Sequence, residues 1–315
     1  MSSLRNGYAF PIALLLIGGC ATPQYAIRGT PVPDESPAAV KIERSISAVQ
    51  TQEFQRQGAR PIGLEEQVSG FAAQRLVDRL SVVTERPSLR YRAFLYRDQD
   101  PNAAALADGR IYISSGLLSY LAGRGSRESE LAFVLGHEIG HTVAQHLVKR
   151  YQELERQQFL MTIVALGAAA ATQGQSEAGQ MAVDVASLLQ NVANSGFSQV
   201  QELEADQLGI RYVIRAGFDP TAALDLLQDF ARFDSPSPFL RTHPYVVQRR
   251  ADLERYLADI GYAGPSTSRN GSPPRAGDIA EQVRRLRQAQ ALYPKDSVSW
   301  RNLQQQIEEL KQSSP

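Results

Sequence analysis

Ser129-Glu130-Leu131-Ala132-Phe133-Val134-Leu135-Gly136-His137-Glu138-Ile139-Gly140-His141 reads as one helical stretch carrying two histidines four residues apart. On a helix that spacing puts both imidazoles on one face, about 6 Å apart, so both can reach a single ion. Leu131, Leu135, Ile139 and Val143 form a stripe roughly opposite them. The helix is therefore expected to pack on one side and present metal on the other. Gly136 and Gly140 each cost about 1 kcal/mol relative to Ala inside a helix. Such a cost is acceptable where another element must approach closely.

A tetrahedral catalytic zinc takes three protein ligands and one water. The chain has a single cysteine, Cys20, and four histidines, so any further ligand is His, Asp or Glu. Gln201-Glu202-Leu203-Glu204-Ala205-Asp206 supplies a candidate. Glu202 can bind the metal while Asp206, one turn on, accepts a hydrogen bond from a ligating histidine and fixes its tautomer. Glu204 points elsewhere on the wheel. Glu138, between the two histidines, is the candidate general base. The expected centre is one zinc ion per chain on His137, His141 and Glu202, and the expected reaction is hydrolysis of peptide bonds.

These motifs resemble the gluzincin metallopeptidases that include HtpX, the CAAX prenyl protease, the mitochondrial Oma-type peptidase and periplasmic BepA. The resemblance spans roughly Leu64 to Ile260. It also rests on Asn102-Ala103-Ala104-Ala105-Leu106 before a strand, on the Ser129-Glu130-Leu131-Ala132 lead and on Thr242-His243-Pro244. It implies an α+β fold: a mainly helical zincin-type domain with a small β-sheet. It implies a substrate edge at Asn102, Ala103, Ala104 and Ala105, and catalytic roles for His243 and Arg249. In the BepA-like branch a histidine before proline can occupy the fourth zinc position; the alternative role is to stabilise the oxyanion. The family often has an aromatic residue at the position of Ala104 and proline at that of Ala107. His146 falls about 140° round the helix from His141 and is expected to serve as a hydrogen-bonding residue.

The resemblance also suggests misfolded or unassembled envelope proteins as substrates, the outer-membrane assembly machinery as a possible partner, and an envelope chaperone with latent proteolysis as the alternative function. Lys plus Arg and Asp plus Glu both number 33. That balance provides no field for collecting nucleic acid.

Arg5, the apolar stretch Ala9 to Ile17, and Leu16-Ile17-Gly18-Gly19-Cys20 resemble the signal and lipobox of bacterial lipoproteins. This implies cleavage before Cys20, acylation there, and a lipid-anchored protein on the periplasmic side of the outer membrane. Residues 1–19 are then a signal peptide. The Pro-, Thr- and Ser-rich residues from 21 to about 40 read as a flexible tether, and residues 20–60 as tether plus first helix. The metallopeptidase domain is placed at 61–262, a linker at 263–278 and a helical hairpin at 279–315, whose join from Ala291 to Trp300 resembles a tetratricopeptide boundary.

Within the domain, Val40 to Val83 has a helical pattern. Tyr91–Tyr96 and Arg110–Ser114 read as strands joined through the turn Asp108-Gly109. The active helix, capped by Ser126 or Ser129, is expected to run on to about Arg156. Phe159 to Ala171 is apolar but shorter than the about 20 residues a membrane span needs, and reads as a buried or interfacial helix. Met181–Val192, Gln199–Ala216, Thr221–Phe233 and Pro244–Ile260 complete the helical set.

Overall fold

The structure is a computed structural model that describes residues 25–125, 128–171, 191–192, 196–232 and 241–262, together with 283, 284, 287, 304, 307 and 308. Cys20 and its leader, Ser126, the segment Met181–Gln190, the linker and nearly all of the C-terminal hairpin lie outside the described residues.

Ser36 accepts a hydrogen bond from the Ala39 amide, and Pro37 follows with its φ already set for helix. Together they start α1 (Pro37–Arg56). The helix stops before Gly58, whose φ is +72°, so the expected helix over Val40–Val83 is two helices. Between them lie β1 (Arg60–Pro61) and a loop, and α2 (Ala73–Ser81) follows. Proline and glycine at 61, 63 and 70 break the pattern. Phe71, Leu76, Val77 and Leu80 are buried, as their spacing predicts.

β2 (Arg92–Tyr96), β3 (Ala103–Ala105) and β4 (Arg110–Ser114) complete a four-stranded sheet in the order β1-β2-β4-β3. Both strands expected from alternation are present. Their connection differs: β2 and β4 run parallel, and Asp108-Gly109 closes the antiparallel β3–β4 pair. Gly109 sits at φ +91°, which this tight turn requires. β3 is thereby left on the sheet edge. Ser114 then caps α3 (Ser115–Gly123) by accepting from the Leu117 amide.

α4 (Glu128–Val143) carries the histidines and is buried on every side from Glu130 onward. The expectation of one packed and one open face is therefore too generous; the side that carries the two histidines is covered as well. The helix also ends earlier than its pattern suggests. Gln145 adopts φ +53°, and α5 (His146–Ala171) starts as a separate helix. The Gln145 amide accounts for the break: it accepts from the Asp34 N–H and donates to the Asp34 carbonyl and to Glu43. At the start of the apolar run, Phe159 and Leu160 are exposed rather than buried. Among the described residues no helix is long and apolar enough to cross a membrane.

α6 (Gln199–Arg215) opens on a capping box between Ser198 and Gln201. It is followed by α7 (Ala222–Phe230) and α8 (Val246–Asp259). α6 lies against α4 at the paired glycines. A Cβ at Gly140 would stand 2.9 Å from the Ala205 carbonyl oxygen, and one at Gly209 would stand 2.8 Å from the His137 amide nitrogen. Both neighbours are backbone and cannot rotate away. Gly209→Ala is expected to destabilise the fold by about 1–3 kcal/mol through overpacking, read as a lower urea midpoint with unchanged slope. An unchanged midpoint would contradict this close approach.

The residues expected to be a flexible tether are docked from Tyr25 onward. Gln207 on α6 accepts from the Arg28 amide and donates to the Ala26 carbonyl, and Arg211 reaches the Arg28 and Gly29 carbonyls. Gln145 holds Asp34, and a buried Arg86–Glu43 pair ties α1 to the α4–α5 junction. Two buried glutamines thus grip the backbone of this strap. Composition reports side chains, and these contacts bypass them.

Candidate active site

Four side chains from three places converge. His137 and His141 come from α4, Glu202 from the first turn of α6, and His243 from the segment leading into α8. One donor atom from each lies within 4.8 Å of all the others, and all four residues are buried. His137 Nε2 is 3.1 Å from His141 Nε2 and 3.2 Å from His243 Nδ1. Glu202 Oε1 is 3.1 Å from His243 Nδ1 and 3.5 Å from His141 Nε2.

The donor set fits a zinc ion. Zinc–nitrogen bonds of about 2.0–2.1 Å imply a tetrahedral edge of about 3.3 Å, close to these separations. The remote nitrogens are occupied in the way a metal-binding imidazole needs. His137 Nδ1 is 2.8 Å from Asp206 Oδ1, and His141 Nδ1 is 2.8 Å from His146 Nδ1. Each Nε2 therefore turns inward.

Burial pushes the His141 pKa well below its ordinary value and keeps the ring neutral. Burial alone would raise Glu202 and Asp206. The Arg249 charge, with His243 beside Glu202, outweighs it and holds both carboxyls below the usual range. For His243 burial favours the neutral ring, but the Glu138 and Glu202 carboxylates prevail and raise its pKa. These carboxylates favour positive charge between them, which a proton on His243 or a metal cation supplies.

Glu138 also faces the centre. Its Oε2 accepts from the Ala105 amide at 2.8 Å, and its Oε1 lies 3.3 Å from His243 Nε2. The N–H of Ala105 points away from β4, because the amide of the next residue, Leu106, bonds the Arg110 carbonyl. Of the four residues read as a substrate edge, Ala103 and Ala105 turn their peptide groups outward. Asn102 and Ala104 turn theirs to β4, and the Asn102 side chain donates to Tyr96.

Arg249 is placed to hold other groups rather than to meet a substrate. Its guanidinium is spent on Asp206 through two nitrogens, at 2.8 and 2.6 Å, and on Glu202 at 2.8 Å. His146 stays out of the four-donor set and links His141 to Glu204. The reason is the break at Gln145, which makes the helical angle between positions 141 and 146 irrelevant. Sequence reading missed Phe197, whose ring stacks on His141 at 3.8 Å. Its N–H donates to the Thr242 carbonyl, joining the segment before α6 to the one that carries His243. The only local signal for it is an aromatic residue directly before the Ser198 cap.

Residues 72–257 match the model of peptidase family M48. The chain is 30% identical over 258 residues to the beta-barrel assembly-enhancing protease of Escherichia coli strain K12, an alignment covering 79% of this chain and 51% of that protein. It is 29% identical over 189 residues to the mitochondrial metalloendopeptidase OMA1 of Schizosaccharomyces pombe, covering 59% of this chain and 52% of the relative. The metalloprotease LoiP of E. coli K12 is 28% identical over 169 residues, covering 52% and 62%. The chain thus spans about half the length of the assembly-enhancing proteases it matches in greatest extent.

Proposed function

The chain belongs to peptidase family M48 and is a metalloendopeptidase, and from that premise we propose that it hydrolyses unfolded or unassembled polypeptides of the cell envelope with one zinc ion. The observation that carries this reading is the buried convergence of His137, His141, Glu202 and His243 with Glu138 beside them. A structural zinc site needs no such carboxylate.

In this reading His137, His141 and Glu202 hold the ion, which when bound supplies Lewis acidity toward carbonyl and water oxygens. Asp206 orients His137, and Arg249 fixes Asp206 and Glu202. Glu138 takes a proton on Oε1 and returns it to the leaving amine; the Ala105 amide anchors its other oxygen. An extended substrate strand adds along β3 through the outward peptide groups of Ala103 and the carbonyl of Ala105, the Ala105 N–H being held by Glu138. That mode reads backbone, so it suits unfolded chains. His243 Nδ1 lies in the donor set itself, which favours a resting form with the fourth position filled. The same observation favours the second reading, an envelope chaperone or assembly factor whose proteolysis is latent. The printed name of the E. coli relatives makes outer-membrane assembly a reasonable setting for either.

Turnover of an unfolded protein such as casein tests the hydrolytic reading. Chelation is expected to abolish it and stoichiometric zinc to restore it, with a folded control protein left intact. Turnover insensitive to chelator would reject a metal mechanism.

Anchoring through Cys20 on the periplasmic side of the outer membrane belongs to the same proposal. Tyr25 is docked on the domain five residues after Cys20, so an acylated Cys20 would hold that face within roughly 18 Å of the lipid. Mass spectrometry of the mature N-terminus is expected to find a diacylglyceryl cysteine at position 20; an unmodified Cys20 would refute it.

A further inference from the structure

The two histidines of α4 are backed in different ways. His137 Nδ1 meets a carboxylate directly, that of Asp206 at 2.8 Å. His141 Nδ1 meets a second imidazole, His146 Nδ1 at 2.8 Å, and His146 Nε2 in turn lies 3.3 Å from Glu204 Oε2. His146 is buried, whereas the Glu204 side chain keeps 21% of its surface exposed. A row of three side chains thus leads from the donor set outward to the surface of α6.

Two features of the backbone build this row. The left-handed Gln145 ends α4 and starts α5 at His146, which brings that ring behind His141; in one unbroken helix position 146 would stand about 140° away. Glu204 follows Glu202 by two residues on α6, about 200° round the helix. It therefore faces away from the converging donors and meets α5 instead. The hydrogens in the row then follow by elimination. A neutral imidazole has one donor nitrogen and one acceptor nitrogen. With the Nε2 lone pair of His141 turned to a metal, its hydrogen is on Nδ1. His146 Nδ1 must accept that hydrogen, so the hydrogen of His146 itself is on Nε2, where Glu204 accepts it.

We infer that His146 and Glu204 are positioning residues for the metal ligand His141, holding its hydrogen on Nδ1 and its Nε2 lone pair toward the ion. Glu204 fixes the tautomer of His146, and His146 fixes the tautomer and ring orientation of His141. This rests on the metal reading above and adds two residues to it, neither of which belongs to the donor set.

The test measures zinc affinity of the full chain by competition with a chromophoric chelator, alongside urea unfolding of the metal-free protein. His146→Leu is expected to weaken zinc binding by about 10- to 100-fold, the usual effect of removing such a partner. His146→Asn, whose amide oxygen can accept near the place of Nδ1, is expected to recover most of the loss. Glu204→Ala alters a partly exposed side chain that the fold does not need, and is expected to weaken binding by about tenfold. Glu204→Gln keeps an acceptor and is expected to stay close to the wild type. In the zinc-loaded protein, imidazole nitrogen-15 shifts are expected to place the His146 hydrogen on Nε2. Wild-type affinity in folded His146→Leu and Glu204→Ala would overturn the inference. So would a hydrogen on His146 Nδ1, or losses of affinity no larger than the losses of metal-free stability. A wild type that binds no zinc, or a His141→Ala control that binds as tightly as the wild type, would instead overturn the metal reading itself.

Discussion

Glu138→Gln is expected to retain a full equivalent of zinc and to lose turnover of unfolded protein by about 10² to 10⁴, the usual contribution of a general acid–base group. His137→Ala, His141→Ala and Glu202→Ala are each expected to lose the metal and, with it, activity. The split follows from geometry. The three ligand side chains present donor atoms to one another at 3.1 to 3.6 Å. Glu138 lies to one side, tied to the sheet edge by the Ala105 amide. Gln is close to Glu in shape but cannot take the proton. Elemental analysis of purified variants, paired with the casein assay and circular dichroism, measures both halves. Stoichiometric zinc in all three ligand variants would sink the assignment. Glu202→Ala also removes one of the two carboxylates that pair with Arg249 among the described residues, leaving Asp206, so this variant is expected to lose some stability as well.

His243→Ala is expected to raise proteolysis. His243 Nδ1 stands 3.2 Å from His137 Nε2 and 3.1 Å from Glu202 Oε1, inside the donor set, and a neutral imidazole is a good fourth ligand. Where a resting enzyme keeps about 1–10% of its molecules in the minor, open form, deleting the blocking ring raises turnover by roughly 10- to 100-fold. The measurement is turnover of an unfolded substrate at saturating zinc, with folding checked. The opposite sign has its own meaning: a fall of about 10² to 10³ in a folded, zinc-loaded variant would assign His243 to the oxyanion. No change would remove it from the active site. The stacking of Phe197 on His141 and its bond to Thr242 place the same segment over the centre, so the variant acts where the site is closed.

Much of the site was legible because its pieces are local. His137, Glu138 and His141 sit on one helix, as do Glu202 and Asp206, and helical period alone decides which of them share a face. The glycines at 136 and 140 announced a close neighbour, and α6 is that neighbour. The place of His243 was another matter. It lies 41 residues from Glu202 in sequence and 3.1 Å from it in space, and no periodicity links the two.

Sequence by itself determined the two helices that carry His137, His141 and Glu202 and the two alternating strands, since each follows from a repeat read within one segment, while the α+β class came from the resemblance those motifs carry. Tertiary structure alone decided the parallel pairing of β2 with β4, which leaves Ala103–Ala105 as the last strand of the sheet. It decided the end of α4 at Gln145 and hence the role of His146 behind His141. It also decided the docking of the strap from Tyr25 to Asp34. The physical reason is common to all three. Strand order, a left-handed residue and a strap held by its backbone are settled by hydrogen bonds between residues distant in the chain, such as Gln145 with Asp34 and Gln207 with Arg28. Those groups must find partners once buried, and side-chain patterning does not say which.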